Sequence, residues 1–126
     1  MKTAPVFDVP DLSMGENELF GTQSIKARHF THFGQAHDTA GGSLAESTII
    51  KMLNPMNYIG LEGATSARHW RIRHGAIDRD TALAVPVILA VTLEKAGLDV
   101  DFAVPWGQGH GGDYDLDELF DWIKSV

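Results

Sequence analysis

The sequence predicts an α/β fold, and three features of its second half carry that prediction: a strand-like run over 68–74, a helical run ending at Gly97, and a second strand-like run over 100–105 with a capped helix after it. Strand, helix, strand, helix in this order implies parallel strands joined by a right-handed crossover, in a sheet covered by helices on both faces. Two strands cannot complete such a sheet alone.

Ahead of these elements, 1–42 is rich in Gly, Thr and His with two prolines, and its apolar residues are scattered without a sustained period. It reads as an irregular, capping or ligand-facing segment. Ser43-Leu44-Ala45-Glu46 matches a capping box and predicts a short helix to Leu53, which Asn54 and Pro55 stop. The strand over 68–74 ends at Gly75, and a turn over 76–80 follows. The next helix starts between Ala82 and Pro86, because first-turn amides have no helical partner and proline is tolerated there, and Gly97 takes the C′ position. Its apolar content predicts a largely buried helix. After the second strand comes a loop over 106–112, and Asp115 is expected to cap a last helix in which Leu116, Leu119, Phe120 and Ile123 share one face. The first strand departs from the pattern, since Arg68, Arg71, Arg73 and His74 make it far more polar than an interior parallel strand.

At 126 residues, 44% hydrophobic and 21% charged, the chain is one domain's worth of ordinary globular material. Disorder, collagen and coiled coil are poor descriptions of it. Seventeen acidic against ten basic residues leave a net charge of −7, a field that repels phosphate backbones and anionic lipid heads, so nucleic acid is not expected as a partner. The absence of cysteine removes disulfides, cysteine-ligated zinc and thiol nucleophiles. The longest apolar run, 82–91, contains Pro86 and is well short of the roughly 20 residues a membrane span needs. Asp8, Asp11 and two prolines interrupt the stretch where a signal peptide would be continuously apolar. Both a cytoplasmic and a secreted location stay open.

In a parallel sheet the loops beyond the carboxyl ends of the strands form the ligand crevice. Asp78 follows the first strand and His110 sits in the glycine-rich loop after the second, so both are expected in that crevice. A carboxylate there can bind one imidazole nitrogen, fix the tautomer and leave the other nitrogen to act as a general base.

The run His69-Trp70-Arg71-Ile72-Arg73-His74-Gly75-Ala76-Ile77-Asp78-Arg79-Asp80, with Val104-Pro105-Trp106, the glycines around His110 and Asp113-Tyr114-Asp115-Leu116, resembles the end of bacterial tannase-like α/β-hydrolases. The similarity continues upstream through Glu16-Asn17-Glu18-Leu19-Phe20-Gly21 and Met52-Leu53-Asn54-Pro55-Met56, and so covers nearly the whole chain. It implies that 1–54 is the end of a lid or cap insertion and 55–126 the C-terminal part of the hydrolase core. It further implies a serine esterase for galloyl and related phenolic esters, with Asp78 and His110 as triad acid and base and no cofactor or metal. Lys2, Glu16 and Asp80 occupy the positions that hold the phenolic hydroxyls in that family. Their chemistry suits the task, because phenols donate to carboxylates and an ammonium donates to a phenol oxygen.

One part of the family pattern is missing from these 126 residues: no Gly-x-Ser-x-Gly nucleophile elbow occurs, and Ser43 and Ser66 both fail the motif. The expectation is therefore two triad members and part of a substrate pocket, with the serine on an N-terminal hydrolase segment outside this sequence. The alternative, from a different class, is a non-catalytic module that binds phenolic ligands. Two lesser readings carry less. His29, His32 and His37 could offer imidazoles to zinc, although their spacing matches no strong metal motif. Gly107, Gly109 and Gly112 satisfy Gly-x-Gly-x-x-Gly, but no second strand follows to carry the ribose-binding acid.

Overall fold

The computed structural model describes residues 8–112 and 114–126, which fall into two compact units, one ending at Asn57 and the other running from Tyr58 to Val126. Among the described residues no helix is long and apolar enough to cross a membrane.

The second unit is a small α/β arrangement. Strand β1 (His69–Arg73) pairs in parallel with β2 (Asp99–Ala103), in register from His69 opposite Asp99 to Arg73 opposite Ala103. Helix α4 (Ala84–Lys95) makes the crossover and packs on both strands, and helix α5 (Leu116–Ser125) closes the sequence. Fold class, element order and parallel pairing thus agree with the sequence-based expectation.

The end of α4 follows directly from Gly97. Its φ of +79° is open to glycine without a Cβ penalty, and it lets Leu98 N donate to Leu93 O at 3.1 Å and Gly97 N to Glu94 O at 2.9 Å. That is a Schellman ending, which satisfies two carbonyls the helix leaves free. The expectation of a largely buried α4 needs correction: Pro86, Ala90 and Leu93 are buried, whereas Val85, Ile88 and Val91 are exposed. Only one stripe of the helix meets the two-stranded sheet.

The polar first strand also has a physical explanation. Alternation places His69, Arg71 and Arg73 on one face and Trp70 and Ile72 on the other. Arg71 Nη2 donates to Asp115 Oδ2 at 2.6 Å, and Arg73 Nη2 donates to Asp101 Oδ2 at 2.7 Å. The guanidinium charges are neutralised inside the unit, which leaves them no role as a nucleic-acid surface. The Asp115 carboxylate is used in this way rather than as the expected cap, since no side-chain cap bond forms at the start of α5.

The first unit differs most from its sequence reading. Two short helices, α1 (Gly15–Leu19) and α2 (His32–Ala36), lie in the stretch expected to be irregular. Thr31 caps α2, its Oγ1 accepting from Gly34 N at 2.9 Å. The predicted capping box does not form: helix α3 (Ser47–Leu53) begins after it, and Leu44 pairs with His29 in a parallel bridge. His29 N donates to Ser43 O at 3.0 Å and Ala45 N to His29 O at 2.7 Å. Pairing with a distant segment outcompetes local capping, because it satisfies buried backbone groups that a helix start would have left to water.

Candidate functional site

Beyond the carboxyl ends of β1 and β2, two loops are laced together. His74 N donates to Ala103 O at 3.2 Å, Ala76 N to Pro105 O at 3.0 Å and Ile77 N to Gln108 O at 3.0 Å. The lacing depends on Gly75, where a Cβ would overlap the carbonyl oxygens of Gln108 and Gly109. A turn closed by Asp78 N donating to Gly75 O at 2.9 Å then presents the Asp78 side chain.

His110 comes from the opposite loop, where Gly107 takes a φ of +73°. Its Nδ1 lies 3.0 Å from Asp78 Oδ2. The Asp78 side chain is only 6% exposed, whereas that of His110 is 58% exposed. Asp78 Oδ1 accepts from Asp80 N at 2.7 Å and from Thr81 N at 3.1 Å. Burial works to raise the Asp78 pKa, but these two amides and His110 outweigh it and hold the carboxyl at about 2. The carboxylate is therefore ionised throughout the neutral range. A carboxylate so placed can accept a proton from His110 Nδ1, an arrangement that would leave Nε2 as the free ring nitrogen.

The structure thus brings Asp78, His110 and Asp80 together. Glu16 lies in α1 of the other unit and is half-buried, and Lys2 lies outside the described residues. Sequence reasoning gave no role to His74, which is buried with Nδ1 3.7 Å from Asp78 Oδ2. Its place four residues before Asp78, at the end of a polar strand, was the available signal. A cavity of about 470 Å³ is lined by Ala76, Ile77, Asp78 and Arg79. Ser66 lies ahead of β1 rather than on a strand-to-helix turn, so it does not form a nucleophile elbow.

Asp78, Asp80 and His110 also bring potential ligand atoms within 4.8 Å of one another, which a divalent cation could bridge. Such an ion would compete with the amides and imidazole that already hold Asp78. His29, His32 and His37 are not brought together as a metal-holding group among the described residues. His29 has both ring nitrogens against carboxylates, and His37 Nδ1 lies 2.9 Å from Phe33 O. His29, engaged on both nitrogens, has no lone pair left for a metal.

Fold and site together define an α/β protein with a carboxylate–imidazole pair on adjoining loops at the ends of parallel strands. No protein-family model matches the chain. No curated protein matches it either. Solved structures do. The tannin acyl hydrolase from Lactobacillus plantarum is 49% identical with a TM-score of 0.93, over 99% of this chain and 27% of that one. The tannase of Fusobacterium nucleatum is 51% identical with a TM-score of 0.86, over 99% of this chain and 28% of that one. A tannin acyl hydrolase in complex with ethyl gallate is 49% identical with a TM-score of 0.91, over 99% and 27%. The chain is thus similar to these tannases over nearly its whole length and spans only 27–28% of theirs.

Proposed function

We propose that this chain supplies the acid and base of a serine-dependent hydrolase of galloyl and related phenolic esters. The observation that carries the reading is the 3.0 Å contact between His110 Nδ1 and Asp78 Oδ2 at the ends of two parallel strands. In this reading His110 Nε2 takes the serine proton as the serine oxygen attacks the ester carbonyl. Asp78 stabilises the resulting imidazolium, and the proton passes to the leaving alcohol as the acyl-enzyme forms. Water then attacks the acyl-enzyme by the same route, releasing the phenolic acid and restoring the serine.

The serine comes from a hydrolase segment outside these 126 residues, since no Gly-x-Ser-x-Gly occurs within them. Residues 1–54 then correspond to the end of a lid and 55–126 to the end of the core. Exposed apolar side chains on α4 (Val85, Ile88, Val91) and α5 (Leu116, Phe120, Ile123) support that reading, because a complete sheet would bring further layers against them. Glu16 and Asp80 accept from phenolic hydroxyls and Lys2 donates to one. Ethyl gallate and 3,4-dihydroxybenzoate, both bound by tannin acyl hydrolase, have the adjacent hydroxyls this set suits.

The test is turnover of ethyl gallate by the hydrolase that carries this chain. Asp78→Asn should lower kcat by about 10⁴-fold, because the wrong imidazole tautomer is then favoured. Turnover within tenfold of the parent would remove the pair from catalysis. Gallate binding without any hydrolysis in the parent protein would favour the binding-module reading instead.

A further inference from the structure

The unit that carries Glu16 contains a second carboxylate–imidazole arrangement, built quite differently. His29 and Asn17 are fully buried and Asp8 is 3% exposed. Asp8 Oδ1 lies 2.7 Å from His29 Nδ1 and accepts from Asn17 Nδ2 at 2.8 Å. Its Oδ2 accepts from Phe30 N at 3.0 Å, Thr31 N at 2.7 Å and Thr31 Oγ1 at 2.6 Å. On the far side of the ring, His29 Nε2 lies 3.0 Å from Asp38 Oδ1. Asp38 is held in turn by Ala40 N at 3.1 Å and Gly42 N at 2.9 Å. Gly34 admits this packing, since a Cβ there would strike the Asp8 carboxylate.

A neutral imidazole has one N–H and one lone pair. Between two ionised carboxylates it would turn that lone pair against one of them, so the arrangement suits an imidazolium that donates on both sides. We propose that His29, as a buried imidazolium clamped between Asp8 and Asp38, is a positioning residue for Glu16 and thereby sets the preference for phenolic esters. This inference rests on the assignment of Glu16 to phenol recognition made above.

The route is short. The Asp8 oxygen that bonds His29 also bonds Asn17, the residue after Glu16 in α1. Asn17 is tied to the neighbour of His29 as well, through Arg28 N to Asn17 O at 3.1 Å and Asn17 Nδ2 to Arg28 O at 3.2 Å. At five residues α1 is too short to hold itself, so its orientation comes from these bonds and from Phe20 stacked on Phe30 at 4.3 Å.

The charged groups against the ring are Asp8, from the segment ahead of α1, and Asp38, from the segment after α2. Arg28, adjacent in the chain, directs Nη1 toward Glu46 Oε1 at 3.8 Å. Burial works to lower the His29 pKa, but the hydrogen bonds and charges of Asp38 and Asp8 prevail and raise it above its ordinary 6.5. A raised folded-state pKa means that the clamp is complete below pH 6.5 and is lost as pH rises through the folded value. Phenol preference should fall over that same alkaline range.

The experiment takes the hydrolase that carries this chain and measures, against pH, the ratio of kcat/KM for ethyl gallate to that for a plain acetate ester. Glu16→Gln should lower the ratio about tenfold, as expected for a lost charge-assisted hydrogen bond. His29→Gln should lower it at least about threefold through KM for the gallate. Should His29→Gln fail to fold, Asp38→Asn keeps an acceptor oxygen and removes one charge, and it should move the alkaline fall of the ratio to lower pH. Side-chain nitrogen NMR of histidine-labelled protein should find both His29 nitrogens protonated at neutral pH. If Glu16→Gln lowers the ratio while His29→Gln leaves it alone, or the alkaline fall does not move in Asp38→Asn, the clamp is overturned and Glu16 stands. A neutral His29 at neutral pH overturns it as well. An unchanged ratio in Glu16→Gln overturns both readings together.

Discussion

The two units each contain an imidazole bonded to aspartate, and they hold it in opposite surroundings. In the first, His29 is fully buried, and Asp8 and Asp38 occupy both of its nitrogens. In the second, His110 is more than half exposed, and Asp78 binds its Nδ1. The residue types and the contact lengths are nearly the same, so neither tells the two arrangements apart. Exposure and the second nitrogen do. A ring bonded on both sides in the interior has no free nitrogen and holds its neighbouring segments in place, whereas a ring bonded on one side at the surface can pass a proton.

The sharpest way to break this contrast is to remove each imidazole in turn. His29→Ala leaves two carboxylates in the interior without their cation, and should cost about 3–5 kcal/mol in a urea titration of the chain. His110→Ala should change stability by less than about 0.5 kcal/mol, as an exposed side chain does. In the complete hydrolase the same change should lower turnover by about 10⁴-fold. Equal stability losses for the two would erase the distinction.

A smaller effect tests whether the second pair depends on how its loops are laced. In Gly75→Ala the new Cβ meets the carbonyls of Gln108 and Gly109, forcing the His110 loop away from Asp78. Overpacking of this kind costs about 1–3 kcal/mol. Displacement of the pair by about 1 Å should lower kcat by about 10²-fold, which steady-state kinetics with ethyl gallate would read.

The smallest effect separates the units by pH. The Asp8 and Asp38 pKa values are lowered, Asp38 to about 2, so their stabilisation is present above pH 3.8 and is lost as pH falls toward 2. His29 adds a loss on the alkaline side, above 6.5. In the second unit Asp78 is also lowered to about 2, and Asp101 and Asp115 are lowered, so these three carboxylates give an acid limb. Amide exchange should therefore accelerate at Thr31 on going to alkaline pH, relative to the intrinsic rate, while Ala76 stays protected. Parallel loss at both amides would refute the assignment of the alkaline limb to His29.

Much of the second unit was legible in the sequence because its signals are local. Gly97 ends a helix through its own φ, Gly75 ends a strand, and the spacing from Asp78 to His110 leaves room for one helix and one strand. The first unit was legible only in its last helix, and even there the start was misplaced. Helices of five residues, α1 and α2, carry too little periodicity to be seen, and the serine of the supposed capping box is drawn into pairing with His29.

By itself, the sequence determined the order of strands and helices in the second unit, the parallel crossover and the candidate acid and base, since periodicity, capping residues and loop position act over a few residues at a time. Only the tertiary structure decided where the charges go. Arg71 finds Asp115 across 44 residues and His29 finds Asp8 across 21, separations that no local pattern encodes. The physical reason is that burying a charge is unfavourable unless a partner meets it, and the chain must fold before that partner exists.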